Sequence, residues 1–249
     1  MGRTFEALVR AEKDSKLRRE ELAPFEPKVN LQPYAPFRLS VSQQASEEYQ
    51  GLKHSLRSLL PEPKGKVLMF VSSTHGEGTS TVVATFGTVL ASSGESVMLV
   101  DANLRKPSLH DMFSIERAGG VTELLLGATE VKDVMKKTRF SNLFIITGGV
   151  PPSNLSLALS SKSVCHMIGR LKREAGWILL DAPPVNEFTD ALTLCSEIDG
   201  TVLVVQAEKT KWEVALRAKQ RLDDAKTNVF GVVLNRRKLH IPERIYKLL

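Results

Sequence analysis

The stretch Val67–Leu68–Met69–Phe70–Val71–Ser72–Ser73–Thr74–His75–Gly76–Glu77–Gly78–Thr79–Ser80–Thr81, followed by Val82–Val83–Ala84–Thr85–Phe86, decides the fold. An apolar run enters, small residues turn the chain, and a segment with helical character leaves. Strand, glycine-rich loop and helix in that order are the setting in which backbone N–H groups gather around a phosphate. Gly76 and Gly78 let the main chain approach such a ligand closely. Ser80 stands where a hydroxyl would ligate Mg²⁺, and Thr81 falls near the place of an α-phosphate. The position before Ser80, which a complete loop of this type fills with lysine, holds Thr79. The candidate cradle is therefore Gly76, Glu77, Gly78, Thr79, Ser80 and Thr81, without the usual ammonium group.

Outward from this loop, short continuous apolar runs alternate with amphipathic segments. Strands are expected at Val67–Ser72, Val97–Val100, Leu143–Thr147, Trp177–Leu180, Gly200–Gln206 and Val229–Leu234. Helices are expected to start near Thr79, Leu155, Asp190 and Lys211. Unbroken apolar strands imply a sheet covered on both faces, and alternating βα units imply right-handed crossovers. The fold class is α/β: a doubly wound, mostly parallel sheet of the P-loop type. Upstream, Glu47–Leu60 reads as a helix with Tyr49, Leu52, Leu56, Leu59 and Leu60 on one side. Residues 1–45 differ in character. Phe5–Leu22 could form a charged helix, and Pro24, Pro27, Pro33 and Pro36 then break regularity. The expected organisation is an N-terminal arm over 1–45 and one P-loop ATPase-like domain over 46–249, with a short C-terminal tail.

The chain has 249 residues, a formal charge of +6 and two cysteines. That length supports one large α/β domain. There is no apolar run long enough for a membrane helix and no apolar signal core at the N-terminus. Glu6 takes the place of the Ser or Thr that a myristoylation signal needs. Cys165 and Cys195 sit in helix-like patterns and imply neither a disulfide nor a metal site. A cytoplasmic protein is expected. Basic residues gather at Lys16, Arg18 and Arg19, and again at Arg236, Arg237, Lys238, Arg244 and Lys247. Aromatic residues are not interleaved with them, so nucleic acid is not expected as a partner.

Ligands in open α/β sheets collect beyond the carboxyl ends of the strands. Three further strand ends carry suggestive groups. Asp101 follows Val97–Val100 and leads into Asn103, Arg105 and Lys106. It is placed to hold a metal or orient a nucleophile, and Arg105 or Lys106 could face phosphate or solvent. Asp181 closes Trp177–Leu180 ahead of Pro183 and Pro184, the pattern of a Walker B acid near Mg²⁺. Asn235, with Arg236 beside it, ends a late strand and is a candidate to read an adenine edge. Ser80, Asp101 and Asp181 form the expected metal set, and Asp101 and Asp181 the expected catalytic acids.

Taken together, Gly76–Thr81, Val97–Pro107 and Ile178–Pro184 resemble the bacterial tyrosine kinase family, P-loop ATPases of capsular and exopolysaccharide export related to ParA and MinD. The likeness runs from about Glu47 to the C-terminus and includes Gly149–Asn154. It implies Mg-ATP or Mg-ADP as cofactor. It also implies a membrane polysaccharide co-polymerase as partner at the inner face of the membrane, ring-like homo-oligomers, and phosphorylation of tyrosines in the protein's own tail.

The chain departs from that pattern at four places. Thr79 replaces the loop lysine, and Asn103 replaces the second acid of an Asp-x-Asp motif. An assembly motif falls on Glu47, Gln50 and Lys53, with one cation lost and one changed. The tail carries Tyr246 in place of a tyrosine cluster. Phosphoryl transfer depends mostly on positioning and electrostatic stabilisation, and losing one stabilising donor in other enzymes costs about 10²–10³ in rate. One positive and one negative group have left together, so binding is expected to survive better than catalysis. Tyr246, among Ile241, Ile245, Leu248 and Leu249, reads as an anchor more readily than as a phosphoacceptor. The expected function is a nucleotide-binding subunit of polysaccharide synthesis or export with weakened kinase activity. The alternatives are an active autokinase using substitute cations and a ParA-like positioning ATPase.

Overall fold

All seven residues of Lys66–Ser72 are buried, and they form β1, an interior strand of the sheet. The computed structural model describes residues 43–60, 65–152 and 154–237. The sequence expectations for the arm, for Tyr246 and the tail around it, and for Lys238, Arg244 and Lys247 lie outside the described residues.

The other strands are β2 (Val97–Asp101), β3 (Lys136–Lys137), β4 (Leu143–Ile146), β5 (Trp177–Asp181), β6 (Gly200–Gln206) and β7 (Val229–Asn235). Their order across the sheet is β3-β4-β2-β5-β1-β6-β7. Every pairing is parallel except β3 with β4. The six expected strands are thus present. β3 was not foreseen, because two edge lysines carry no apolar pattern.

Side chains alternate between the two faces of the pleat. Val67, Met69, Val71, Met98, Val100, Ile178 and Leu180 enter one apolar cluster, with Met167, Leu171, Ala218 and Leu222 from the helices Ser161–Leu171 and Trp212–Asp224. Leu68, Phe70, Val97, Leu99, Trp177 and Leu179 enter the other, with Val82, Phe86 and Leu90 of the helix Thr79–Ser92. Two helical layers on one mostly parallel sheet make the doubly wound architecture.

The helix Gln43–Leu59 lies on the second layer. Tyr49 stacks on Phe86 at 6.2 Å, and Phe86 meets the edge of Trp177 at 6.2 Å. Leu56 and Leu60 are buried, but Leu59 faces outward, so the expected apolar side is narrower by one residue. Lys53 bonds Ser93 Oγ at 2.8 Å and pairs with Glu95 at 2.9 Å. This cation of the assembly motif is therefore engaged within the chain.

Candidate functional site

The loop between β1 and the helix Thr79–Ser92 is held from several directions. Glu77, although charged, is buried. Its carboxylate accepts from Ser73 N at 2.7 Å, Thr74 N at 3.0 Å, Ser73 Oγ at 2.8 Å and the Thr210 hydroxyl. A carboxylate so surrounded has its hydrogen bonds satisfied inside the loop. The exit of β5 is zipped alongside: Ala182 N donates to Phe70 O at 3.0 Å and Val185 N to Ser72 O at 2.9 Å. Glu187 accepts from His75 N at 2.7 Å. Gly76 and Gly78 have φ of 86° and 90°, the left-handed region that glycine enters without strain. A Cβ at Gly78 would collide with the Asn235 amide.

The first main-chain bond of the helix joins Val82 N to Gly78 O at 3.0 Å. The N–H groups of Thr79, Ser80 and Thr81 thus have no helical acceptor. They open, with the helix dipole, onto a cavity of about 250 Å³. Gly76, Thr79, Ser80, Asn103, Lys106 and Asp181 are among its walls.

The parallel register of β2 and β5 sets Asp101 directly opposite Asp181. Both are buried. Asp101 Oδ2 accepts from Ser108 N and Leu109 N, each at 2.9 Å, while its Oδ1 has no partner. Neither oxygen of Asp181 meets hydrogen-bond geometry. Burial pushes the Asp101 carboxyl from 3.8 up to about 6, against the pull of its backbone donors. Burial, then the charge of Asp101, holds Asp181 well above the ordinary carboxylate range, and the nearby Ser80 hydroxyl offsets this in part. The two orphaned oxygens of Asp181, on the cavity wall beside the free N–H donors of the loop, make an arrangement that a cation with attached phosphates would satisfy; Asp101, opposite Asp181 on β2, stands one layer back and is absent from the wall. Among the described residues, no group of three or more His, Cys, Asp or Glu side chains could enclose a metal alone. Mg²⁺ takes one or two carboxylates and completes its shell with water and phosphate oxygens, and Asp181 with the Ser80 hydroxyl offers such a partial ligand set on the cavity wall.

Other expected residues are arranged differently. Arg105 points to the helix Asp190–Leu194. Its Nε and Nη2 reach Asp190 at 2.6 and 3.1 Å, and its guanidinium lies 4.5 Å from the Phe188 ring centre. The hydrogen bonds to Asp190 raise its pKa further. It is absent from the cavity wall, which its neighbour Lys106 lines instead. Asn235 donates to Glu77 O at 2.8 Å, which ties the end of β7 to the loop, and its Oδ1 accepts from the N–H of the next residue, Arg236, at 2.9 Å. Arg236 reaches the cavity and bonds Gly76 O at 3.1 Å and Gln206 Oε1 at 3.2 Å. Two contributors were missed. Thr210 lies 133 positions from Glu77 and carries no local signal. His75, directly before the first loop glycine, accepts from Lys106 Nζ at 3.1 Å through its Nε2.

A family model described as "ParA: NUBPL iron-transfer P-loop NTPase" matches residues 64–245. The chain is 32% identical to tyrosine-protein kinase YwqD of Bacillus subtilis (strain 168), over 78% of this chain and 82% of that protein. The chain belongs to the bacterial tyrosine kinase branch of the ParA-like P-loop NTPases. It is also 30% identical to the putative tyrosine-protein kinase CapB of Staphylococcus aureus, over 77% of this chain and 84% of that protein. The crystal structure of the chimerical protein CapA2B2 superposes with a TM-score of 0.74 at 26% identity, covering 81% of this chain and 88% of that one. The cavity lies where β1, β2 and β5 end. Among the described residues, no helix is long and apolar enough to cross a membrane.

Proposed function

We propose that this chain binds Mg-ATP and Mg-ADP in the cavity beside Gly76–Thr81 and serves bacterial capsular or exopolysaccharide synthesis as a kinase-like subunit with weakened phosphoryl transfer. The observation that carries the reading is the cluster of unpartnered oxygens on Asp101 and Asp181 beside the free N–H groups of Thr79, Ser80 and Thr81. The loop N–H groups would hold the phosphates, and Ser80 and Asp181 would hold Mg²⁺. Asp101 would orient water on the metal or accept a proton. Bound Mg²⁺ would supply charge neutralisation between the phosphates.

Weakened transfer follows from Thr79, which puts no positive charge where negative charge develops, and from Asn103, whose amide accepts no proton. The kinase relatives and the CapA2B2 fusion support a polysaccharide co-polymerase as membrane partner, and with it a place at the inner face of the membrane. A homo-oligomer belongs to the same reading, although Lys53 is occupied by Glu95.

Steady-state ATP turnover and phosphotyrosine mass spectrometry after incubation with Mg-ATP test it. The expected result is slow turnover lost in Asp181→Ala, and a gain in Thr79→Lys. Turnover at the rate of a lysine-bearing homologue would refute the weakened-kinase reading.

A further inference from the structure

We propose that Lys106, from the loop after β2, supplies the cation that Thr79 does not, closing on the terminal phosphates from outside the glycine loop. The inference rests on the nucleotide-site reading above and names the group that completes it.

Thr79 lines the cavity but is buried and uncharged. The Lys and Arg side chains on the cavity wall are Lys106 and Arg236. Arg236 is occupied: its Nη1 bridges Gly76 O and Gln206 Oε1. Arg105 is captured by Asp190 on the other side. Lys106 alone of these three cations reaches the phosphate loop without a charged or main-chain oxygen on its ammonium. Its Nζ lies 3.1 Å from His75 Nε2, one residue before Gly76. For the ammonium to donate there, His75 must be neutral with its proton on Nδ1. An imidazole nitrogen is a weaker acceptor than a phosphate oxygen, so a polyphosphate entering the cavity would draw the ammonium across.

Asn103 fits the same scheme. Its main-chain oxygen and its Oδ1 both accept from Lys106 N, at 3.1 and 3.2 Å, and fix where the lysine leaves the backbone. A carboxylate at position 103 would make the same turn but would place a negative charge three residues from the ammonium and compete for it. The amide keeps the turn and leaves the cation free. The two departures from the family pattern, Thr79 and Asn103, are then one rearrangement.

Equilibrium affinities for fluorescent (mant-labelled) ATP and ADP, with Mg²⁺, would be measured for wild type, Lys106→Met, Thr79→Lys, the double variant, and Lys132→Met as an exposed-charge control. Lys106 is exposed, so its variant is expected to fold, and a thermal melt would verify this. Lys106→Met should weaken Mg-ATP about tenfold, as loss of a hydrogen bond from a charged group does, with a smaller loss for Mg-ADP. In the Thr79→Lys background the same change should matter less than about threefold, because the loop then has its own ammonium. Lys132→Met should bind like wild type. Unchanged affinity in Lys106→Met, an equal loss in Lys132→Met, or an undiminished loss in the double variant would overturn the role of Lys106 while leaving the nucleotide site intact. A wild type that binds neither nucleotide would overturn the site and this inference together.

Discussion

Asp101 and Asp181 face one another across adjacent parallel strands, buried, with three of their four oxygens unpartnered. Two like charges so placed oppose each other and lack the solvent that would stabilise them. Folding holds both protons more tightly than the unfolded chain does. The stability they contribute is therefore largest in acid. For Asp101 it falls as pH rises from 3.8 to about 6, and for Asp181 the fall continues higher. Removing one charge should relieve the conflict. Asp181→Asn is expected to raise the melting temperature of the ligand-free protein at pH 7–8 and to flatten its pH dependence, and calorimetric melts from pH 4 to 8 without Mg²⁺ would measure both. A lower melting temperature for the variant at pH 8 would contradict the conflict.

Gly78 owes its necessity to Asn235. The positive φ and the amide pressed against the missing Cβ leave no room for a side chain. Gly78→Ala should cost about 1–3 kcal/mol in denaturant unfolding and abolish nucleotide binding. Asn235→Ala, which frees the Glu77 carbonyl, should cost about 1 kcal/mol and weaken binding without abolishing it.

Glu77 holds the loop closed by accepting from Ser73, Thr74 and Thr210. Glu77→Gln keeps the shape but replaces one acceptor oxygen with a donor group. About 1–3 kcal/mol of stability should be lost, and amide hydrogen exchange should rise at Ser73–Gly78 before it rises in the core strands.

Arg105 and nucleotide affinity should be separable. The Arg105 guanidinium is half-exposed and bidentate on the buried Asp190. Arg105→Ala leaves that carboxylate unpaired, at an expected cost of about 1–2 kcal/mol, while Mg-ADP affinity changes less than about twofold. A large loss of affinity with unchanged stability would put Arg105 back at the phosphates.

The strands were legible because burial on both faces demands unbroken apolar runs, and β6 has the bounds its composition suggests. The carboxylates were legible because strand ends in such a sheet share one edge, so Asp101 and Asp181 had to meet near the glycine loop. The direction of Arg105 is not legible, for the complementary reason. Its direction is set by Asp190 and Phe188, more than 80 positions downstream, and no local pattern reveals that capture. The contact of Asn235 with the loop is not legible either, because nothing local shows how close β7 brings it to Gly78. The short helices Leu109–Phe113, Val121–Leu125 and Val131–Val134 span four or five residues each, too few for a helical period to declare itself.

The cavity beside Gly76–Thr81 is expected to hold a magnesium nucleotide without a lysine in the loop. Isothermal titration of the wild-type chain with ADP, in Mg²⁺ and again in EDTA, tests this most directly. One saturable site whose affinity falls at least about tenfold when the metal is withdrawn is the predicted result. Absence of heat at millimolar ADP in Mg²⁺, with no accompanying rise in melting temperature, would contradict it.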